Sequence, residues 1–96
     1  MPREPCVYIL ASRPHGAIYT GVTSDLVRRV WQHKRGEGSV FTRRYQIDKL
    51  VWMEAHETMP EAIAREKQIK RWSKARRRGM IDAFNPEWRD LYSELW

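Results

Sequence analysis

A chain of 96 residues that is 31% charged, 42% apolar and 11% aromatic has the composition of one globular domain spanning residues 1–96, and it is too short for two domains. Such a chain buries only roughly 60–65% of its unfolded surface, so any site is expected to be a shallow groove rather than an enclosed cavity. The formal charge is +6 and 13 of the 18 cations are arginine, the side chain whose planar fork matches phosphate oxygens, which makes polyanions the first partners to consider.

The opening Met1-Pro2-Arg3-Glu4-Pro5 lacks the apolar stretch of a signal peptide, and no apolar run is long enough to span a bilayer. A soluble, unprocessed, cytoplasmic protein without a membrane association is therefore expected. The single cysteine, Cys6, excludes an internal disulfide and a zinc finger built from this chain, and it suits a reducing compartment with no disulfide partner.

In chain order, the apolar and β-branched run over residues 6–11 predicts a strand, and residues 18–22 predict a second. Ser12-Arg13-Pro14-His15-Gly16 supplies the Pro and Gly of a hairpin loop between them. At Thr23-Ser24-Asp25 a capping residue precedes Leu26, Val27, Val30 and Trp31 at helical spacing, predicting a helix over about 25–35 with those four as its buried stripe. Gly36 and Gly38 close it, and residues 39–46, with Arg43, Arg44 and Tyr45, read as a basic exposed loop. Residues 47–55 predict a third strand. Pro60 opens a second helix running to about Trp72, Ser73 caps a third over 74–84, and the apolar tail from Pro86 is expected to pack back on the body. The order is β-β-α-β-α-α, an α/β arrangement of the α+β kind.

Charge is uneven along this order. Residues 61–80 hold eight cations against two anions, whereas residues 81–96 hold one against four. A solvated basic face is the plain reading of such a run. Particular positions say more. Arg29 and His33 lie one helical turn apart at the border of the first helix's apolar stripe, where an arginine stem packs and its guanidinium is held for a phosphate contact, or simply for solvent. Glu66 falls within the arc of Met59, Ala62, Ile63 and Ile69 on the second helix. A carboxylate there must find a partner or a cation, and an i,i+4 ion pair with Lys70 is the plain alternative. No second acid accompanies it, so a two-metal centre is not expected. Tyr8 and Tyr19 sit on the paired strands, where buried tyrosines commonly serve the core. His15, His56 and Cys6 carry no assigned chemistry.

Taken together, Cys6-Val7-Tyr8, the hairpin loop, Tyr19-Thr20-Gly21, and Thr23-Ser24-Asp25-Leu26 leading to Arg29 and His33 resemble the signature of the GIY-YIG nuclease superfamily. Ala62-Ile63-Ala64-Arg65-Glu66-Lys67-Gln68-Ile69-Lys70-Arg71-Trp72 and Asn85-Pro86-Glu87-Trp88 are similar to the small stand-alone bacterial members. The resemblance covers roughly residues 5–92. Cys6 stands where the signature has its first glycine and Thr20 where it has an isoleucine, and neither change removes a reacting group. Gly21 is retained, as expected for a backbone bend beside the site.

The resemblance implies a three-stranded antiparallel sheet flanked by helices and a DNA endonuclease using one divalent cation, Mg²⁺ or Mn²⁺. Relatives act in homing, restriction and excision repair, so repair or recombination substrates are the analogy. It implies that Glu66 binds the metal, Arg29 contacts the scissile phosphate, Tyr8, Tyr19 and His33 complete the catalytic set, and Asn85 supports it. Which of Tyr8, Tyr19 and His33 acts as general base stays open, because a tyrosine with an ordinary pKa of roughly 10 is protonated at neutral pH. Phosphate contacts are expected from Arg28, Lys34, Arg43, Arg44, Arg65, Lys70, Arg71, Arg76, Arg77 and Arg78, giving salt-dependent and largely sequence-independent affinity for DNA. The chain ends where the nuclease module of relatives ends, so a separate target-choosing domain is not expected, and a monomer or weak homodimer is. Two other readings have distinct signatures: a non-cleaving nucleic-acid-binding module that keeps the fold, and a scaffold that docks partners through an exposed Trp88, Leu91, Tyr92 and Trp96 tail.

Overall fold

The computed structural model describes residues 4–95. Three strands, β1 (Cys6–Ala11), β2 (Ile18–Thr23) and β3 (Lys49–Ala55), form an antiparallel sheet in the order β2-β1-β3. The helices are α1 (Leu26–Lys34), α2 (Val40–Arg44), α3 (Met59–Arg71) and α4 (Lys74–Phe84), followed by a single 3₁₀ turn at Tyr92–Glu94. The central strand β1 is buried along its whole length, which explains its unbroken apolar sequence: both of its faces are covered. The hairpin to β2 is closed by Ser12, whose amide donates to the Ala17 carbonyl at 3.0 Å while its hydroxyl accepts from the Ala17 amide at 3.1 Å.

The two faces of the sheet carry separate apolar layers. Val7, Ile9, Ala11 and Ile18 pack against Ala62 and Ile69 of α3 and Ile81 of α4, with Trp88 beneath them. Tyr8 and Leu10 face the other way, onto Leu26 and Val30 of α1 and onto Ile47, Leu91 and Leu95. A shift of register between Ile9 and Leu10 in the pairing with β3 lets Val51 and Trp52 both face the first layer while Leu50 joins the second. Each fully buried aliphatic contributes on the order of 1.5–3 kcal/mol, and β1 alone supplies three with no exposed surface, Val7, Ile9 and Leu10.

Helix starts follow their capping residues. Asp25 accepts from the Arg28 amide, Thr58 from the Glu61 amide and Ser73 from the Arg76 amide. Thr58 rather than Pro60 therefore sets the start of α3, one residue earlier than the proline suggests. Three expectations are corrected. Residues 39–46 are not simply an exposed loop: Ser39 caps the short α2, and Thr42 is buried. Trp31 does not belong to the buried stripe of α1, since it lies exposed beneath the Arg35 guanidinium, 4.7 Å from ring centroid to cation. Ile63 likewise lies on the exposed side of α3.

The tail is core closure rather than a docking surface. Trp88, Leu91 and Leu95 are buried, the Leu91 amide donates to the Leu50 carbonyl at 2.8 Å, and Asp90 accepts from the Leu50 amide at 3.1 Å while pairing with Lys34. An exposed apolar scaffold surface built on Trp88 and Leu91 is thereby excluded; Trp96 lies outside the described residues. Among the described residues no helix is long and apolar enough to cross a membrane.

Candidate active site

Tyr8 is the hub of the site. It points from β1 into the layer shared with α1, with Gly21 opposite it on β2 and Tyr19 diagonal to it on the same face. A Cβ at Gly21 would stand 2.5 Å from the Tyr8 hydroxyl oxygen, so the missing side chain leaves room for the phenol. This replaces the bend expected there: Gly21 is not among the residues with positive φ, and close approach is what requires glycine.

Helix α1 brings Arg29 and His33 to the same place. The Tyr8 hydroxyl and His33 Nε2 lie 3.2 Å apart, and the His33 ring centroid is 6.0 Å from that of Tyr8 and 5.4 Å from that of Tyr19. The Tyr8 and Tyr19 rings are themselves 6.4 Å apart. The half-buried Arg29 guanidinium interacts with both tyrosine hydroxyls. It also donates from Nη1 to Gln32 Oε1 at 3.1 Å and from Nη2 to the Gly38 carbonyl at 3.2 Å. Those contacts hold the fork in one orientation, which a solvated surface arginine lacks.

Glu66 arrives from α3, on the other face of the sheet. Its side chain is only 14% exposed, it pairs with Lys70 at 3.1 Å, and its negative charge is felt at Tyr8. The Lys70 ion pair is thus present, and the carboxylate still contributes to the field at Tyr8. Among the described residues no three His, Cys, Asp or Glu side chains gather as a metal cage. A single hard carboxylate fits one Mg²⁺- or Mn²⁺-like ion that keeps most of its shell for water and substrate, and it does not fit a protein-enclosed zinc.

Asn85, the C-cap of α4, is held elsewhere. Its Nδ2 donates to the Val51 carbonyl at 3.2 Å and the Arg89 carbonyl at 2.9 Å, and its Oδ1 accepts from the Arg89 amide at 3.2 Å. These bonds staple β3 to the tail, and any support Asn85 gives the site passes through that backbone. Sequence reasoning missed Gly38, Ser39 and Thr42. The signal available for them was the N-cap pattern of Ser39 ahead of Val40-Phe41-Thr42.

Burial and charge tune the cluster. Burial pushes the Tyr8 pKa up, Arg29 works against it, Tyr19 and Glu66 add to it, and the result is about 12. Burial lowers the Arg29 pKa, but the Tyr8 and Tyr19 hydroxyls outweigh it and the net direction is upward. For His33, burial and then the Arg29 charge lower the pKa to about 4 from an ordinary 6.5, against a smaller opposing pull from Asp48. His33 is therefore neutral at physiological pH. Its folded pKa lies below its unfolded one, so the unfolded chain binds more protons between the two. The stability linked to neutral His33 is fully present above about pH 6.5 and is lost as pH falls to about 4. The expected loss is roughly 3 kcal/mol, read as the difference between urea titrations of the parent and His33→Gln at pH 7 and pH 4. Parallel pH profiles for the two proteins would refute it.

The sequence profile of the GIY-YIG catalytic domain matches residues 4–79, a stretch that includes Tyr8, Tyr19, Arg29, His33 and Glu66. The chain belongs to the GIY-YIG family. UPF0213 proteins of Staphylococcus aureus strains Mu50 and COL are each 36% identical to it over 66 residues, covering 69% of this chain and 80% of theirs. The solution NMR structure of a UPF0213 protein from Bacillus halodurans is similar to this GIY-YIG chain at 31% identity, with a TM-score of 0.52 and coverage of 83% of this chain and 84% of that one.

The basic residues of this GIY-YIG domain fall into two groups. Arg28, Arg43, Arg44, Arg71 and Arg76 are exposed, with Arg44 over the Tyr45 ring at 5.6 Å and Arg76 over the Trp72 ring at 3.8 Å. Four more of the cations expected to meet phosphate are engaged within the protein. Lys34 pairs with Asp90 and donates to the Asp48 carbonyl, Arg65 pairs with Glu54, Lys70 pairs with Glu66, and Arg78 donates to the Gly16 carbonyl. Arg77 is half-buried.

Proposed function

We propose that this chain is a metal-dependent endonuclease that hydrolyses phosphodiester bonds in DNA, with residues 1–96 acting as one nuclease domain in the cytoplasm, as a monomer or weak homodimer. The observation that supports this reading best is the gathering at Tyr8 of an oriented arginine, a neutral histidine and a second tyrosine, with the charge of Glu66 felt there, within a GIY-YIG catalytic domain.

Each group has a role in such a reaction. The Arg29 fork, held by Gln32 and Gly38, meets the non-bridging phosphate oxygens on which negative charge grows in the transition state. Glu66 holds the divalent cation, Mg²⁺ or Mn²⁺, which when bound supplies Lewis-acid stabilisation of the same charge. Tyr8 keeps its proton at neutral pH. It therefore acts as a fixed hydroxyl between the phosphate and His33, through which a proton taken from the attacking water can pass to the imidazole. Tyr19 closes the other side of the ring cluster. The exposed Arg28, Arg43, Arg44, Arg71 and Arg76 hold the DNA backbone, with the remaining cations of the 65–78 stretch adding to the field.

The test is incubation of purified protein with supercoiled, branched and single-stranded DNA in Mg²⁺, Mn²⁺ or chelator. Metal-dependent nicking is expected. DNA affinity is expected to fall with a log–log salt slope of roughly −4 or steeper, at about −0.9 per phosphate neutralised. Steep salt dependence with no metal-stimulated product on any substrate would instead identify a binding module that keeps the fold.

A further inference from the structure

The 38–42 turn, with α2 in its second half, touches both reacting side chains of α1. The Gly38 carbonyl accepts from Arg29 Nη2 at 3.2 Å. A Cβ on Gly38 would collide with His33 Nδ1, so the turn backbone lies directly against the imidazole edge. Thr42, 2% exposed, presents its hydroxyl to His33 Nδ1 at 3.1 Å. Ser39 then acts twice, as the N-cap that accepts from the Thr42 amide at 3.1 Å and as the partner of the Thr42 hydroxyl.

The two acceptors that Ser39 presents to Thr42 favour one placement of the protons in this chain. The Thr42 hydroxyl carries one proton and meets the Ser39 carbonyl at 3.3 Å, a group that only accepts, and the Ser39 hydroxyl at 2.9 Å. When that proton goes to Ser39, Thr42 offers His33 a lone pair, and Nδ1 carries the proton of the neutral ring. Nε2 is then bare and faces the Tyr8 hydroxyl at 3.2 Å. Tyr8 donates to His33 and keeps its own lone pairs for Arg29, which can only donate.

We propose that Thr42, seated by Ser39 and Gly38, is the positioning residue that fixes His33 as its Nδ1–H tautomer, so that Nε2 accepts the Tyr8 hydroxyl proton. The catalytic meaning of that bond rests on the endonuclease reading, whereas the tautomer does not. The deciding measurement is imidazole ¹⁵N NMR of the labelled parent at pH 7, with His33 assigned by its loss in His33→Gln. A protonated Nδ1 and a bare Nε2 are expected. Thr42→Val, which keeps the shape and removes the hydroxyl, should shift the ring toward Nε2–H and lower kcat for DNA cleavage roughly tenfold with KM unchanged, and Thr42→Ser should restore both. A parent spectrum with a protonated Nε2 overturns the proposal, and so does a Thr42→Val spectrum identical to the parent's. If Thr42→Val does not fold, the parent spectrum alone decides. A parent that cuts no DNA sinks the endonuclease reading, while the same spectrum still decides the tautomer.

Discussion

Arg29→Ala is expected to lower the single-turnover rate of DNA cleavage by roughly 10²–10³-fold, or about 3–4 kcal/mol of transition-state stabilisation. The size follows from how the guanidinium is held: Gln32 and Gly38 anchor it and the hydroxyls of Tyr8 and Tyr19 border it, so it meets developing charge without having to reorganise. Arg29→Lys keeps the charge but loses the two-point anchoring, and should recover little of the rate. Glu66→Gln should fall at least as far, because it keeps the shape of the side chain and removes the carboxylate charge that the proposed reaction assigns to the metal. It should also abolish Mn²⁺ binding measured by calorimetry in the presence of DNA. Either variant cutting within threefold of the parent would refute the assignment.

Asn85→Ala should act on stability instead. Its amide makes three hydrogen bonds to the backbone of Val51 and Arg89, and the residue is buried. Truncation strands two carbonyls and an amide, at a cost of roughly 2–4 kcal/mol. Urea denaturation should show that loss, while cleavage by the folded protein at low temperature stays within threefold of the parent. A hundredfold loss of rate at unchanged stability would mean that Asn85 reaches the reacting atoms, beyond the supporting place that the resemblance to relatives implied, and not only the backbone of β3 and the tail.

Much of the fold was legible because the strands announce themselves by composition. Residues 6–11 read as an apolar run since β1 is covered on both faces, and the caps at Asp25 and Ser73 stand where the periodicity changes. The five-residue α2 was not legible, because its outer face carries Val40, Phe41 and Tyr45 in the open beside Arg43 and Arg44 and leaves no amphipathic pattern. Trp31 misled for a related reason: its ring lies exposed, with the Arg35 guanidinium over it in place of the core.

At the site, spacing placed Arg29 and His33 on one edge of α1, and the arc of α3 singled out Glu66. That Arg29 and His33 meet at Tyr8, where the charge of Glu66 is also felt, depends on the sheet lying between two helices distant in sequence, which no local pattern encodes. The Lys70 pairing considered as an alternative for Glu66 is present, yet it does not remove the carboxylate from the neighbourhood of Tyr8. The contacts that hold His33, from Gly38 and Thr42, come from a turn whose residues carry no chemistry of their own.

Because Arg29 borders Tyr8 from the α1 side of the sheet while Glu66 is carried by α3 on the opposite face, the ladder lies between the two helices that present them. This lies at the sheet's margin, since among the described residues β2 pairs with β1 alone. A second copy annealing along the outer rim of β2 would run its backbone past Tyr19 and Gly21. Whatever pairs with that rim therefore lies beside the ring cluster of Tyr8, Tyr19 and His33.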